Sequence, residues 1–233
     1  MAKTNFSKKI LVGLTGEKLD DLFLKIKEAE GFGLKEASLF LESFKKTERE
    51  KIYDALTKSK IKNIPLVHIR HDMTKDELKF LKNNFKTGYF TIHEKNFSKG
   101  DIKNWKGYYK NLCLEMNFDN FVSKKINVEK IDGFCVDLAH FKVGMEKLSK
   151  DFEYVFDKKG IRKYFDCNHL NGYDPKTNCD MHTISNLKDF DYLKTLPNFL
   201  FGKYIALEIR NSIKEQLEFK KYLVDLLEKT TTL

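Results

Sequence analysis

Eight short apolar runs recur along this 233-residue chain, each rich in β-branched or aromatic residues and bounded by polar or turn residues. They occupy residues 10–14 (ILVGL), 37–41 (ASLFL), 64–69 (IPLVHI), 89–93 (YFTIH), 112–116 (LCLEM), 133–138 (GFCVDL), 164–170 (YFDCNHL) and 204–209 (YIALEI). Between them lie stretches with apolar residues near helical spacing, at 17–30, 47–59, 74–84, 98–109, 141–156, 185–196 and 212–228. Residues 118–130 are short and poorly periodic for a full helix. Thr47 with Glu50, and Thr74 with Glu77, read as helix N-caps with capping boxes. Such an alternation predicts an α/β fold, a parallel sheet closed into a (β/α)8 TIM barrel, with residues 1–233 as a single domain. An open doubly wound sheet is the alternative. No G-x-G-x-x-G or Walker loop follows any run, which removes the usual nucleotide-binding argument for it.

Composition narrows the class. With 41% hydrophobic residues, a chain of this length can bury one sizeable core. No run of about 18 apolar residues predicts a membrane span. The segment MAKTNFSKKI is basic but lacks the apolar stretch of a secretory signal. Cys113, Cys135, Cys167 and Cys179 show no C-x-x-C spacing, so a cytoplasmic protein without disulfides is expected. A monomer is expected too. The net charge of +9 would attract polyanions such as nucleic acid, although solvated lysine faces account for the same charge.

In a barrel of this kind, side chains at the C-terminal ends of the strands converge on one site. The candidates there are His71, His93, Glu115, Asp137, His140, His169, Asp180, His182 and Glu208. A lone histidine at a strand end is more often a hydrogen-bonded loop residue. Glu115, Asp137 and Glu208 carry more weight, because each interrupts an apolar strand. A carboxylate there is costly unless paired or coordinated. His68 competes with His71 for one place. His71 is preferred because it lies past the strand end, where ligands belong; His68 then faces the helices or supports the site indirectly. Nine nitrogen and carboxylate donors in this order predict a metal site.

The stretches LCLEMN, FCVDLAHFKVG, HLNG followed by DMH, and IALEI resemble the endonuclease IV family of abasic-site endonucleases, within the xylose-isomerase-like barrels. The resemblance covers the chain from about residue 64 onward. It implies DNA as partner and three zinc ions, with manganese acceptable at one carboxylate-rich position. One ion would be held by His71, His93 and Glu115. A second would take Glu115 as a bridge with Asp137, His169 and Glu208, and the third His140, Asp180 and His182. Glu115 and Glu208 are the implied catalytic carboxylates. The implied activity is hydrolysis of DNA at abasic sites by metal-activated water, in DNA repair. The chain departs from the family in its short loops, in Thr183–Asn186 where a glycine-rich turn is expected, and in the segment 42–46, a candidate DNA-contacting loop.

Two rival readings remain. A sugar isomerase or epimerase of the same barrel group needs one divalent ion on Glu115, Asp137, His169 and Glu208, with His140 touching substrate. A basic binding module would use Trp105, Tyr108 and Tyr109 to stack bases, although at near-helical spacing such aromatics more often pack a helix.

Overall fold

The computed structural model describes residues 5–116 and 120–230. Its strands are β1 (Ile10–Leu11), β2 (Gly13–Leu14), β3 (Ser38–Phe40), β4 (Leu66–His68), β5 (Tyr89–His93), β6 (Leu112–Glu115), β7 (Gly133–Asp137), β8 (Cys167–Leu170), β9 (Gly172–Asp174), β10 (Cys179–Met181) and β11 (Tyr204–Leu207). The helices are α1 (Leu19–Gly31), α2 (Lys46–Lys58), α3 (Lys75–Phe85), α4 (Glu94–Lys99), α5 (Leu138–Lys147), α6 (Lys150–Phe156) and α7 (Ile213–Thr230).

One parallel sheet runs in the order β1-β11-β8-β7-β6-β5-β4-β3-β2, and β9 and β10 form a separate antiparallel pair. The two ends of the large sheet, β1 and β2, are separated in the chain by Val12 alone. Ile10 pairs with Ile205 of β11, and Gly13 pairs with Ser38 of β3. The first strand therefore bends at Val12 and gives one half to each neighbour, which closes eight staves into the expected (β/α)8 barrel.

Gln216 of α7 fastens that bend. The Gly13 N–H donates to Gln216 Oε1 at 2.7 Å, and Gln216 Nε2 donates to the Gly13 carbonyl at 3.1 Å. The fully buried amide thus satisfies a backbone donor and acceptor at the bend. A side chain at residue 13 has no room: a Cβ there would lie 1.8 Å from the Leu207 carbonyl oxygen.

Most elements fall where the sequence puts them, with local differences. Thr74 caps α3, and Glu77 Oε2 accepts from the Thr74 N–H at 2.9 Å. The box at α2 starts two residues before the expected Thr47: Lys45 is the cap, and its N–H donates to Glu48, so Glu48 rather than Glu50 closes it. The helix expected at 98–109 is instead α4 followed by 3-10 turns at Asp101–Trp105 and Tyr109–Asn111, with Gly100 left-handed between them. Trp105 there is a packing residue, fully buried, its indole N–H donating to the Met73 carbonyl. The expected 141–156 helix is broken by Leu148 at φ 50°, after which Ser149 caps α6. A 3-10 run, Leu187–Thr195, replaces the helix at 185–196. Residues 118 and 119 of the weak 118–130 segment lie outside the described residues; its end is a 3-10 turn at Val128–Lys130.

Two apolar layers result. A large one fills the space between staves and helices. A small one, Phe40, Leu66, Cys113, Cys135, Cys167 and Ala206, fills the barrel axis. All four cysteines are free, and the Sγ atoms of Cys113 and Cys167 lie 3.8 Å apart. Among the described residues no helix is long and apolar enough to cross a membrane.

Gly13→Ala tests the closure. The overlap with Leu207 predicts a loss of about 2–3 kcal/mol in urea unfolding. A loss below about 0.5 kcal/mol would show that the bend at Val12 can shift to make room.

Candidate metal centre

Side chains two residues apart on a strand share a face. Counting forward by two from the axial layer gives the next layer toward the barrel mouth: Phe40 leads to Glu42, Leu66 to His68, Cys113 to Glu115, Cys135 to Asp137, Cys167 to His169 and Ala206 to Glu208. Tyr89 leads through Thr91 to His93. Of this layer, Glu42, His68, His93, Glu115, Asp137 and Glu208 line a cavity of about 300 Å³ at the C-terminal ends of the staves, with His169 buried beneath it.

Glu115 is the centre of this layer and is 2% exposed. Its Oε2 lies 3.4 Å from His68 Nε2 and 3.8 Å from His93 Nδ1, and its Oε1 lies 3.2 Å from His169 Nδ1. His169 Nδ1 is also 3.2 Å from Glu208 Oε2. To one side, Asp180 Oδ2 lies 3.3 Å from His140 Nε2 and 3.0 Å from His182 Nε2. Within each of three sets, candidate ligand atoms are within 4.8 Å of one another: His68, His93 and Glu115; Glu115, Asp137, His169 and Glu208; and His140, Asp180 and His182. A fourth, His68, His169 and Glu208, overlaps the first two.

Eight of the nine candidates from the sequence therefore come together. The ninth, His71, does not. It is exposed in the turn after β4 and joins none of these sets, while the buried His68 stands where His71 was expected. Alternation along β4 puts Leu66 and His68 on the axis, and the turn then carries His71 away. The same two-residue phase also marks Glu42, which the sequence placed only in a candidate DNA-contacting loop and not among the ligands; its Oε2 lies 2.9 Å from His68 Nδ1.

Local structure explains several orientations. Asp137 ends β7 and caps α5: its Oδ1 accepts from the His140 N–H at 2.8 Å, so the D-x-x-H spacing is a helix start that fixes His140 beside it. Its Oδ2 accepts from Asn171 Nδ2 at 3.0 Å. His182 Nδ1 lies 2.9 Å from the Glu208 carbonyl. A carbonyl only accepts, so Nδ1 carries the proton and Nε2 is the nitrogen left for Asp180 or an ion.

The charges are strongly shifted. Burial would raise Glu115, but His169, His68 and His93 hold it well below the usual carboxylate range. Burial raises Glu208 despite His169 beside it. Burial dominates at His93 and pushes it down to about 4. It is outweighed at His140, where Asp137 and Asp180 push the imidazole up to about 10, and at His182, where Asp180 and Glu208 push it up to about 9. Hydrogen bonds from His140 and His182 hold Asp180 well below its ordinary value.

The residues fit divalent metal. Mixed imidazole and carboxylate donors suit zinc, and the carboxylate-rich set suits manganese as well. Glu115 Oε2 and both ring nitrogens of His68 are buried and in close ionic contact, yet none has a well-directed hydrogen bond. A buried carboxylate with that environment is stabilised by a cation, whether an ion or a protonated imidazole.

No protein-family model and no curated protein matches this chain. Among solved structures, a D-tagatose 3-epimerase-like protein aligns over 96% of this chain and 98% of its own, at TM-score 0.56 and 13% identity. The two share the barrel. A GH99 endo-alpha-mannosidase from Bacteroides thetaiotaomicron aligns at TM-score 0.48 and 9% identity, over 93% of this chain and 82% of its own. An HpcH/HpaI aldolase from Desulfitobacterium hafniense aligns at 0.39 and 9%, over 97% and 94%.

A pH measurement checks the Asp180 cluster in metal-free protein. Raised folded values for His140 and His182 give stability that is full below about pH 6.5 and is lost as pH rises through their folded values of about 9 and about 10. Lys25, lowered to about 8 by burial, works in the opposite direction. Asp180→Asn should therefore reduce the alkaline loss measured by urea unfolding at about pH 7 and about pH 9.5, with the Lys25 contribution cancelling between the two proteins. Equal slopes would show that Asp180 does not set these imidazoles.

Proposed function

We propose that this chain is a metal-dependent phosphodiesterase acting on DNA at abasic sites. The observation that carries this reading is the His140–Asp180–His182 set, a separate group of ligands beside those centred on Glu115. One divalent ion for sugar chemistry would need only Glu115, Asp137, His169 and Glu208. The third set then has no common role.

Divalent ions in these places would lower the pKa of a water nucleophile and offset charge on a phosphoryl group. The chain's own part is positioning. Glu115 belongs to two neighbouring sets and would fix the distance between their ions. His169 spans Glu115 and Glu208 and keeps the two catalytic carboxylates on one side of the cavity. Asp137, held by Asn171, faces the same space. Arg210 is the one lysine or arginine among the described residues lining the cavity, at the rim and paired with Glu17. A guanidinium there suits a substrate phosphate next to the one that reacts. The net charge of +9 fits a polyanionic partner.

A second reading has its own support. The D-tagatose 3-epimerase-like neighbour favours a single-metal sugar isomerase or epimerase, and the comparisons lean that way rather than toward a nuclease. His140 would then contact the sugar.

Elemental analysis of the purified chain together with two activity assays separates them. The phosphodiesterase reading expects about three ions per chain, cleavage of an abasic duplex that stops on chelation, and a loss of about 100-fold or more in kcat for Asp180→Ala or His182→Ala. A single ion, interconversion of ketose sugars, and full activity of both variants would overturn it in favour of the epimerase.

A further inference from the structure

Neither reading gives Glu42 a part in the metal centre; the resemblance places it only at the start of a candidate DNA-contacting loop. It follows β3 by two residues and has the same phase as the mouth residues. Its Oε2 is buried, although the side chain as a whole is 32% exposed at the cavity wall. That oxygen lies 2.9 Å from His68 Nδ1. The other ring nitrogen, Nε2, faces Glu115 Oε2 at 3.4 Å. The ring is packed between Phe40, edge-on at 6.1 Å between centroids, and His93 at 4.6 Å. His68 therefore has a carboxylate on each nitrogen, only one of them in a candidate ligand set.

We propose that Glu42 is a positioning residue that holds the proton on His68 Nδ1 and so presents Nε2 as the metal-binding nitrogen. The inference rests on the metal centre proposed above. An imidazole binds an ion through a nitrogen lone pair, so the proton must sit on the other nitrogen. A carboxylate accepting from that N–H fixes the tautomer and the ring direction, and makes the free nitrogen a better donor. His182 is held in the same sense, with the Glu208 carbonyl as acceptor on Nδ1 and Nε2 facing inward. At His68 the facing group is a side chain, in ionic contact at 2.9 Å without the direction of a hydrogen bond, and it can be replaced. Glutamine at 42 could turn its NH2 toward Nδ1, which would favour the opposite tautomer and remove the charge.

The test uses the full chain stripped of metal, with zinc as the probe and a chromophoric chelator as competitor. Glu42→Gln is expected to weaken one class of bound zinc about 10- to 100-fold, and Glu42→Asp to recover part of that loss. Glu42→Gln leaves His68 without one of its carboxylates and should lower the melting temperature of the metal-free protein, so zinc affinity is compared at a temperature where all three chains are folded. Nitrogen-15 NMR of zinc-loaded wild type, which does not depend on any variant folding, should show His68 protonated at Nδ1 and bound through Nε2. Unchanged zinc affinity in Glu42→Gln, or zinc on His68 Nδ1, would overturn the role of Glu42 while leaving the metal centre intact. Wild type that takes up no zinc would overturn both.

Discussion

Closing a parallel sheet on itself leaves no free choice about which side chains meet. Each stave alternates between the axis and the helix layer, and the axis admits only what fills it. In this chain the closure depends on one bend at Val12, where glycine allows two backbones to touch and Gln216 occupies the freed hydrogen bonds. Three cysteines and an alanine join Phe40 and Leu66 in the axial layer. Directly above them, the same phase delivers carboxylates and imidazoles.

That arrangement concentrates charge where water is scarce. Glu115 sits among three imidazoles, and its ionised form depends on them. A single buried carboxylate would be a liability, but one surrounded by donors that also bind cations is a ligand cage with a stable resting form. Because Glu115 belongs to two sets, a change there is felt by His68, His93 and His169 together. The Asp180 set is differently built: it stands on the β9–β10 hairpin and the first turn of α5, outside the staves.

Barrels of this kind host many chemistries, so shared fold does not decide between phosphodiester and sugar. The structural neighbour shares the barrel, and the additional ligand set is what the phosphodiester reading rests on. The difference lies in loops and hairpins after the staves, and a shared fold at 13% identity does not fix the chemistry they carry.

The barrel was legible in the sequence because its signal is local: eight apolar runs with helical stretches between them. So were Glu115, Asp137 and Glu208, since an acid inside an apolar strand is conspicuous at short range. The breaks at Gly100 and Leu148 were not, because a helical pattern of apolar spacing continues through them while the backbone turns left-handed. The choice of His68 over His71 was not legible either. The sequence marks both as histidines near a strand end; only the alternation of β4 in its register against β3 and β5 decides which ring reaches the axis. The contact of Glu42 with His68 was hidden for the same reason, as the ring it meets is 26 residues away in sequence. The chain by itself determined the staves and most of the donors; closure of the barrel decided which donors face one another, because that depends on register and bend, and both are set by contacts between segments distant in sequence.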